Sequence, residues 1–241
     1  MNSFFKFFLV IVVGFQACSQ NEIISLDDGQ EVDLNALYPD NNVVISTHTE
    51  FTRTHYPIRI AEFKEHPLEF KDIVFLGNSI TEQGGDWCLR LNNPRVKNRG
   101  IAGDTTDGVL ARLEEIIYYE PQQVFILIGI NDLFRDDMTA EKVFNNILKI
   151  VNKIKSGSKE TNIFVQTVLP TSTLLLKEKI QQTNALLLEA EKNQPYQIIP
   201  LHNHFATSDD LMNMELSEDG VHLNENGYIR WVDNIINKVK K

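Results

Sequence analysis

Asp219 and His222, three residues apart in the stretch DGVH, form a hydrogen-bonded relay if the loop between them folds back. Asp219 then accepts a hydrogen bond from one ring nitrogen of His222, fixing the tautomer and leaving the other nitrogen basic and outward-facing. Such a pair gains chemical use beside a hydroxyl, because serine is a poor nucleophile until a base takes its proton. The serine that qualifies is Ser79, in KDIVFLGNSITEQ. Ile73 to Leu76 is a short apolar run of β-favouring residues, and Gly77 and Asn78 end it with turn chemistry. Taken alone, Ser79 reads first as a cap for the following helix, since caps are far commoner than nucleophiles. Two further stretches carry hydrogen-bond donors. In NRGIAGDTTD, Gly100 and Gly103 let a backbone N–H approach a ligand unobstructed, and the same residues suit a turn capped by Asp104 or Thr105. In GINDL, Asn131 offers a side-chain amide just after an apolar run, a place where Asn-Asp is also ordinary turn chemistry.

These groups lie far apart in the chain, so a fold must gather them. Short apolar runs at Ile73–Leu76, Val96–Asn98, Val124–Ile128, Ile163–Val168 and Gln197–Ile199 read as strands. Between them fall helical stretches: Trp87–Leu91, Thr106–Tyr119, Thr139–Ile154 and Leu174–Glu191, with Asn224–Val239 closing the chain. A helix starting near Pro57 and ending before Pro67 precedes the first strand, and Val43–Ile45 suggests an edge strand. Strand and helix alternating throughout argue an α/β fold with a parallel sheet and helices on both faces. Open sheets of this kind place ligands beyond the carboxyl ends of their strands, where Ser79, Gly103 and Asn131 all fall.

The 241 residues suffice for one such domain, and 42% hydrophobic with 23% charged residues is ordinary globular composition. A net charge of −10 argues against nucleic acid, which asks for a basic footprint. Lys6 followed by the apolar run Phe7–Phe15 is too short for a bilayer span and fits an export signal. Ala17 before Cys18 resembles a bacterial lipoprotein signal, a loose match that makes Cys18 the lipidation site. The expectation is a leader over 1–18, a polar tether over 19–42, one α/β domain over 43–241, and lipid anchoring at the bacterial envelope. Cys88 reads as a buried free thiol. His48, His55 and His66 lack metal-like spacing and read as surface residues. His202 and His204 lack the Asp-x-x-His arrangement and read as peripheral to the base. Trp87 and Phe134 sit close to the motifs, and as large apolar residues they read as core.

The stretches GNSIT, NRGIAGDTT, GINDL and DGVH, in that order between Lys71 and Tyr228, resemble the SGNH or GDSL hydrolase superfamily of esterases and lipases. The resemblance implies a flavodoxin-like three-layer α/β/α sandwich with a five-stranded parallel sheet. It makes Ser79 the nucleophile, His222 the general base and Asp219 its orienter. The oxyanion hole it implies is built from the backbone N–H groups of Ser79 and Gly103 and the side chain of Asn131. Asn78 departs from the aspartate usual there. The implied acyl-enzyme cycle requires no cofactor and no metal. The compact blocks look like the platelet-activating-factor acetylhydrolase-like and carbohydrate acetylesterase branches. That points to removal of acetyl groups from carbohydrate esters, such as acetylated sialic acids or polysaccharides. A lysophospholipase or general short-chain esterase is the second expectation, and a non-catalytic glycan-binding lipoprotein is the alternative from another class. The expected partners are a small-molecule or glycan ester, with no nucleic acid, and a membrane only through the lipid anchor.

Overall fold

The computed structural model describes residues 23–25, 31–40 and 42–239. The expected leader over 1–18, Cys18 included, lies outside the described residues. The chain divides into two compact units, Met1–Leu34 and Asn35–Lys241. In the first, β1 (Ile23–Ser25) and β2 (Glu31–Asp33) pair antiparallel, Ile23 opposite Asp33 and Ser25 opposite Glu31. The sequence suggests an aperiodic tether here; three-residue strands are too short to show an alternating pattern.

The second unit is built on a sheet of β3 (Ile73–Gly77), β4 (Val96–Gly100), β5 (Gln123–Leu127), β6 (Asn162–Gln166) and β7 (Gln197–Ile199). The spatial order is β4-β3-β5-β6-β7, and every pairing is parallel. This is the flavodoxin-like order, in which the chain reverses its winding direction between β3 and β5 and opens a crevice at their carboxyl ends. β3 and β5 are buried along their whole length, as their unbroken apolar sequences require. Phe75, Phe125 and Phe164 stand in register on one face and stack at centroid distances of 4.9 and 4.7 Å. Trp87, on α3 (Trp87–Leu91), stacks on Phe75 at 4.4 Å, and Trp231, on α9 (Glu225–Ile235), meets Trp87 edge-on at 4.7 Å. Trp87 is therefore core, as its size suggests. Between these come α2 (Ser79–Glu82), α4 (Thr106–Leu110), α5 (Glu114–Tyr119), α6 (Ile130–Leu133), α7 (Ala140–Gly157) and α8 (Leu174–Ala190). Helix α7 buries Val143, Ile147, Ile150, Val151 and Ile154, one face at helical spacing. Among the described residues, no helix is long and apolar enough to cross a membrane.

Several expectations need correction. The first helix, α1 (Glu50–Glu65), begins well before Pro57, capped by Thr49, whose hydroxyl accepts from the Thr52 N–H; Pro57 lies inside it. A proline tolerated in a helix interior costs one backbone bond, and the buried face Thr52, Tyr56, Ile60 and Phe63 outweighs it. Val43–Ile45 is not a strand: Ile45 packs with Tyr56, Ile60, Phe63 and Ile101 in a satellite core. The stretch expected as one helix over 106–119 breaks at 111–113 into α4 and α5. His48 is buried, His55 is half-buried against Glu82, and Cys88 is a half-buried free thiol rather than a fully buried one. Phe134 is 48% exposed, not core.

Candidate active site

Ser79 sits at the start of α2, immediately beyond the carboxyl end of β3. Gly77 has no room for a side chain, since a Cβ would collide with the Thr81 hydroxyl and the Leu127 carbonyl. Asn78 takes the capping role, its Oδ1 accepting from the Ile80 N–H at 3.0 Å. The residue that departs from the usual pattern thus frees the Ser79 hydroxyl from capping. That hydroxyl lies 3.0 Å from Nε2 of His222. On the far side of the ring, Nδ1 donates to Asp219 Oδ2 at 2.7 Å. The other Asp219 oxygen accepts backbone N–H groups of Val221 at 2.9 Å and His222 at 2.8 Å. Partial burial works to raise the Asp219 pKa, but these three hydrogen bonds outweigh it and bring the carboxyl down to about 2. It is ionised at any pH at which an imidazole is neutral.

The loop carrying this pair closes on itself. The Ser217 hydroxyl donates to the His222 carbonyl at 2.6 Å and accepts from the Gly220 N–H at 2.9 Å. Gly220 has φ +87°, and a side chain there would strike Ser172. Asn224 then caps α9, its side chain accepting from Gly227. Helix α9 returns to the serine turn, where the Tyr228 hydroxyl donates to the Ile80 carbonyl at 2.9 Å.

The other candidate donors stand beyond the carboxyl ends of the two strands that flank β3. Gly103 follows β4 with φ +77°, pressed against Thr52, whose hydroxyl donates to its carbonyl at 3.3 Å. Thr105, not Asp104, caps α4. Asn131 lies in α6, just beyond β5, and its Nδ2 donates to the Asp104 carbonyl at 2.9 Å, tying the asparagine to the glycine turn. One of its two amide hydrogens is spent there, and among the described residues the second meets no acceptor. His202 does not join the site: Nδ1 faces the Val168 carbonyl at 2.9 Å and Nε2 faces Asp210 at 2.8 Å, so both ring nitrogens are engaged. His204 is exposed.

Sequence reasoning missed a group of charged residues behind this crevice. Glu82, one turn after Ser79, accepts from His55 at 2.9 Å and from the Ala102 N–H at 2.5 Å. Asp104 is fully buried between Arg112 and His48. Local spacing does not mark these pairs: His48 lies 56 residues from Asp104 and His55 lies 27 from Glu82, while Arg112, eight residues after Asp104, sits in a stretch that reads as plain helix.

Residues 75–230 match the model of the GDSL-like lipase/acylhydrolase family. Similar solved structures include a GDSL-like lipase of Bacteroides thetaiotaomicron, 25% identical, covering 70% of this chain and 88% of that one, with a TM-score of 0.61. A Bacteroides fragilis protein described as an acylhydrolase is 23% identical and covers 81% of this chain and 99% of its own, with a TM-score of 0.65. An acetylxylan esterase of Geobacillus stearothermophilus is 18% identical over 71% and 94% of the two chains, with a TM-score of 0.59. An N-acylneuraminate cytidylyltransferase of Escherichia coli is 27% identical over 175 residues, 70% of this chain. This chain spans only 41% of that relative's length. Fold and family match together define an α/β protein of the acylhydrolase class. The chain belongs to the GDSL-like lipase/acylhydrolase family.

Proposed function

We propose that the protein removes short acyl groups, acetyl above all, from carbohydrate O-esters such as acetylated sialic acids or polysaccharides, through a Ser79 acyl-enzyme. The observation that carries the mechanism is the continuous relay from Ser79 to His222 to Asp219 at 3.0 and 2.7 Å. In this reading Ser79 Oγ attacks the ester carbonyl as His222 Nε2 takes its proton, and the ionised Asp219 stabilises the imidazolium. The carbonyl oxygen gains charge beside the N–H groups of Ser79 and Gly103 and the second amide hydrogen of Asn131. One such donor lowers the barrier by about 3 to 4 kcal/mol. His222 then protonates the leaving alcohol, and water releases the acyl group by the same steps reversed.

Support for a sugar ester comes from two comparisons. One is the structural likeness to an acetylxylan esterase, and the other is the match to part of a protein named for N-acylneuraminate. An enzyme exported and lipid-anchored through Cys18, as the leader suggests, would meet such glycans at a cell envelope. The test sets nitrophenyl esters of increasing chain length beside O-acetylated sialic acid, acetylated xylooligosaccharides and a lysophospholipid. We expect acetate release from the sugars, acetate preferred over octanoate among the nitrophenyl esters, and total loss of turnover in Ser79→Ala with the fold retained. Preference for the lysophospholipid or for long chains would overturn the substrate class. Wild-type turnover in Ser79→Ala would overturn the mechanism.

A further inference from the structure

We propose that Arg112 is a positioning residue for the oxyanion donors: its buried guanidinium fixes Asp104, and through Asp104 the Gly103 turn and the Asn131 side chain. The proposal rests on the reading of Gly103 and Asn131 as those donors.

Arg112 lies at the break between α4 and α5, where the chain gives up a continuous helix although its apolar spacing would support one. The break turns the side chain inward, and it is 5% exposed. Its donors reach three separate parts of the crevice wall. Nε donates to Asp104 Oδ2 at 3.0 Å, and Nη2 lies 2.9 Å from the same oxygen. Nη2 also donates to the carbonyl of Gly77, the last residue of the serine strand, at 3.0 Å. Nη1 donates to the carbonyl of Arg99, in the strand that leads into the glycine turn, at 2.9 Å. One planar fork therefore sets the end of β3, the end of β4 and the end of the glycine turn at fixed separations.

The effect passes on through Asp104. Its carboxylate is wholly buried, with the second oxygen held by His48 Nε2 at 3.0 Å. Its carbonyl is the acceptor that orients Asn131. Gly103, immediately before it, presents one candidate oxyanion N–H. A shift of Asp104 consequently displaces two of the three donors together. The packing leaves no alternative seat, since a side chain at Gly108 would strike both the Asp104 carboxylate and the His48 ring. Lysine keeps the charge, but as a single point it cannot hold three acceptors in a plane.

The experiment measures kcat and KM for an aryl acetate in Arg112→Lys, Asp104→Asn, Asn131→Ala and the double variant Arg112→Lys/Asn131→Ala. Each kcat is divided by the active sites titrated with a serine-directed fluorophosphonate, so that loss of folded protein does not count as loss of rate. We expect Arg112→Lys to lower kcat per titrated site about 10- to 100-fold with KM unchanged. The double variant should be little slower than Asn131→Ala alone, because both changes disable the same donors. If Arg112→Lys yields too little protein to titrate, Asp104→Asn combined with Asn131→Ala decides by the same comparison. Wild-type kcat per site in the arginine and aspartate variants, or effects that multiply with Asn131→Ala, would overturn the proposal. A wild-type rate in Asn131→Ala alone would instead overturn the donor reading on which it rests.

Discussion

The two halves of the site are built by different means. The half that carries Ser79, Gly103 and Asn131 is a floor laid on the carboxyl ends of β3, β4 and β5. Ser79 is 7% exposed, and the buried Asp104 carboxylate pairs both with Arg112, eight residues on, and with His48, 56 residues back. The half that carries Asp219 and His222 is a loop whose internal hydrogen bonds run between neighbours from Ser217 to His222. Side chains there are 54% exposed for Asp219 and 30% for His222. The floor thus owes its geometry to tertiary structure and the relay to local sequence. Solvent reaches Asp219 most, whereas Ser79 is buried and Gly103, Asn131 and His222 are half-buried.

This contrast is open to test. On the proposed mechanism, replacing His222 with alanine removes the base and should lower kcat by about 10⁴-fold or more, whatever the surroundings. The same assay on Asp219→Asn should show a smaller loss, about 10² to 10³-fold, because the Asp219 side chain is exposed and solvent shares its part; a fully buried relay aspartate is worth about 10⁴-fold. An Asp219→Asn loss as deep as that of His222→Ala would show that the loop is as exacting as the floor. Tyr228 joins the two halves, its hydroxyl reaching the Ile80 carbonyl next to Ser79. Tyr228→Phe leaves that carbonyl without its donor, a cost of about 1 to 3 kcal/mol. We expect a melting temperature lower by roughly 2 to 4 °C for each kcal/mol, and a few-fold loss of kcat. In the same loop-to-floor connection, the exposed Glu225 meets Arg90 at 2.8 Å. Glu225→Gln, which removes the exposed charge and leaves Arg90 on Tyr228 and the Gly84 carbonyl, should therefore move stability less than Tyr228→Phe does. If the exposed pair proved the stronger link, the division into buried floor and solvated loop would be wrong.

The same contrast decides what the sequence discloses. Asp219 and His222 are legible because their contact is three residues long and needs only one loop. Ser79, Gly103 and Asn131 are legible because each follows an apolar strand, and parallel strands bring their carboxyl ends to one edge. The strands at Ile73, Val124 and Ile163 announce themselves by unbroken apolar runs. Arg112 is illegible because nothing in the alternation of apolar residues from Val109 to Ile117 marks the break at which it turns inward. His48 looks like surface because its partner, Asp104, is 56 residues away. Pro57 misleads because proline marks a helix start by propensity, and here the buried face of α1 overrides that preference. Lipidation at Cys18 is read from a motif alone, outside the described residues.

A buried floor also carries a cost that the loop escapes, and Asp132 shows it. Next to Asn131, it is fully buried and accepts from the Thr106 hydroxyl at 2.6 Å and the Thr106 N–H at 3.0 Å. Burial outweighs those hydrogen bonds and pushes its pKa up to about 6. In the unfolded chain an aspartate titrates near 3.9. Between about pH 4 and pH 6 the folded protein therefore holds a proton that the unfolded chain has released, and stability falls as pH rises through that window. The total is roughly 2 to 3 kcal/mol, fully lost above pH 6. Asp219 has the opposite sign: its depressed pKa favours the fold above about pH 4 and that contribution is lost as pH falls towards 2, on a side chain exposed enough to make it small. Asp132→Asn keeps an acceptor for Thr106 without the charge. Urea unfolding should find the variant gaining on the wild type by roughly 2 to 3 kcal/mol between pH 4 and pH 7.5, with turnover little changed. A stability difference between the two proteins that does not move with pH would mean that Asp132 is solvated like the loop carboxylate. The floor would then not be the dry surface on which the comparison depends.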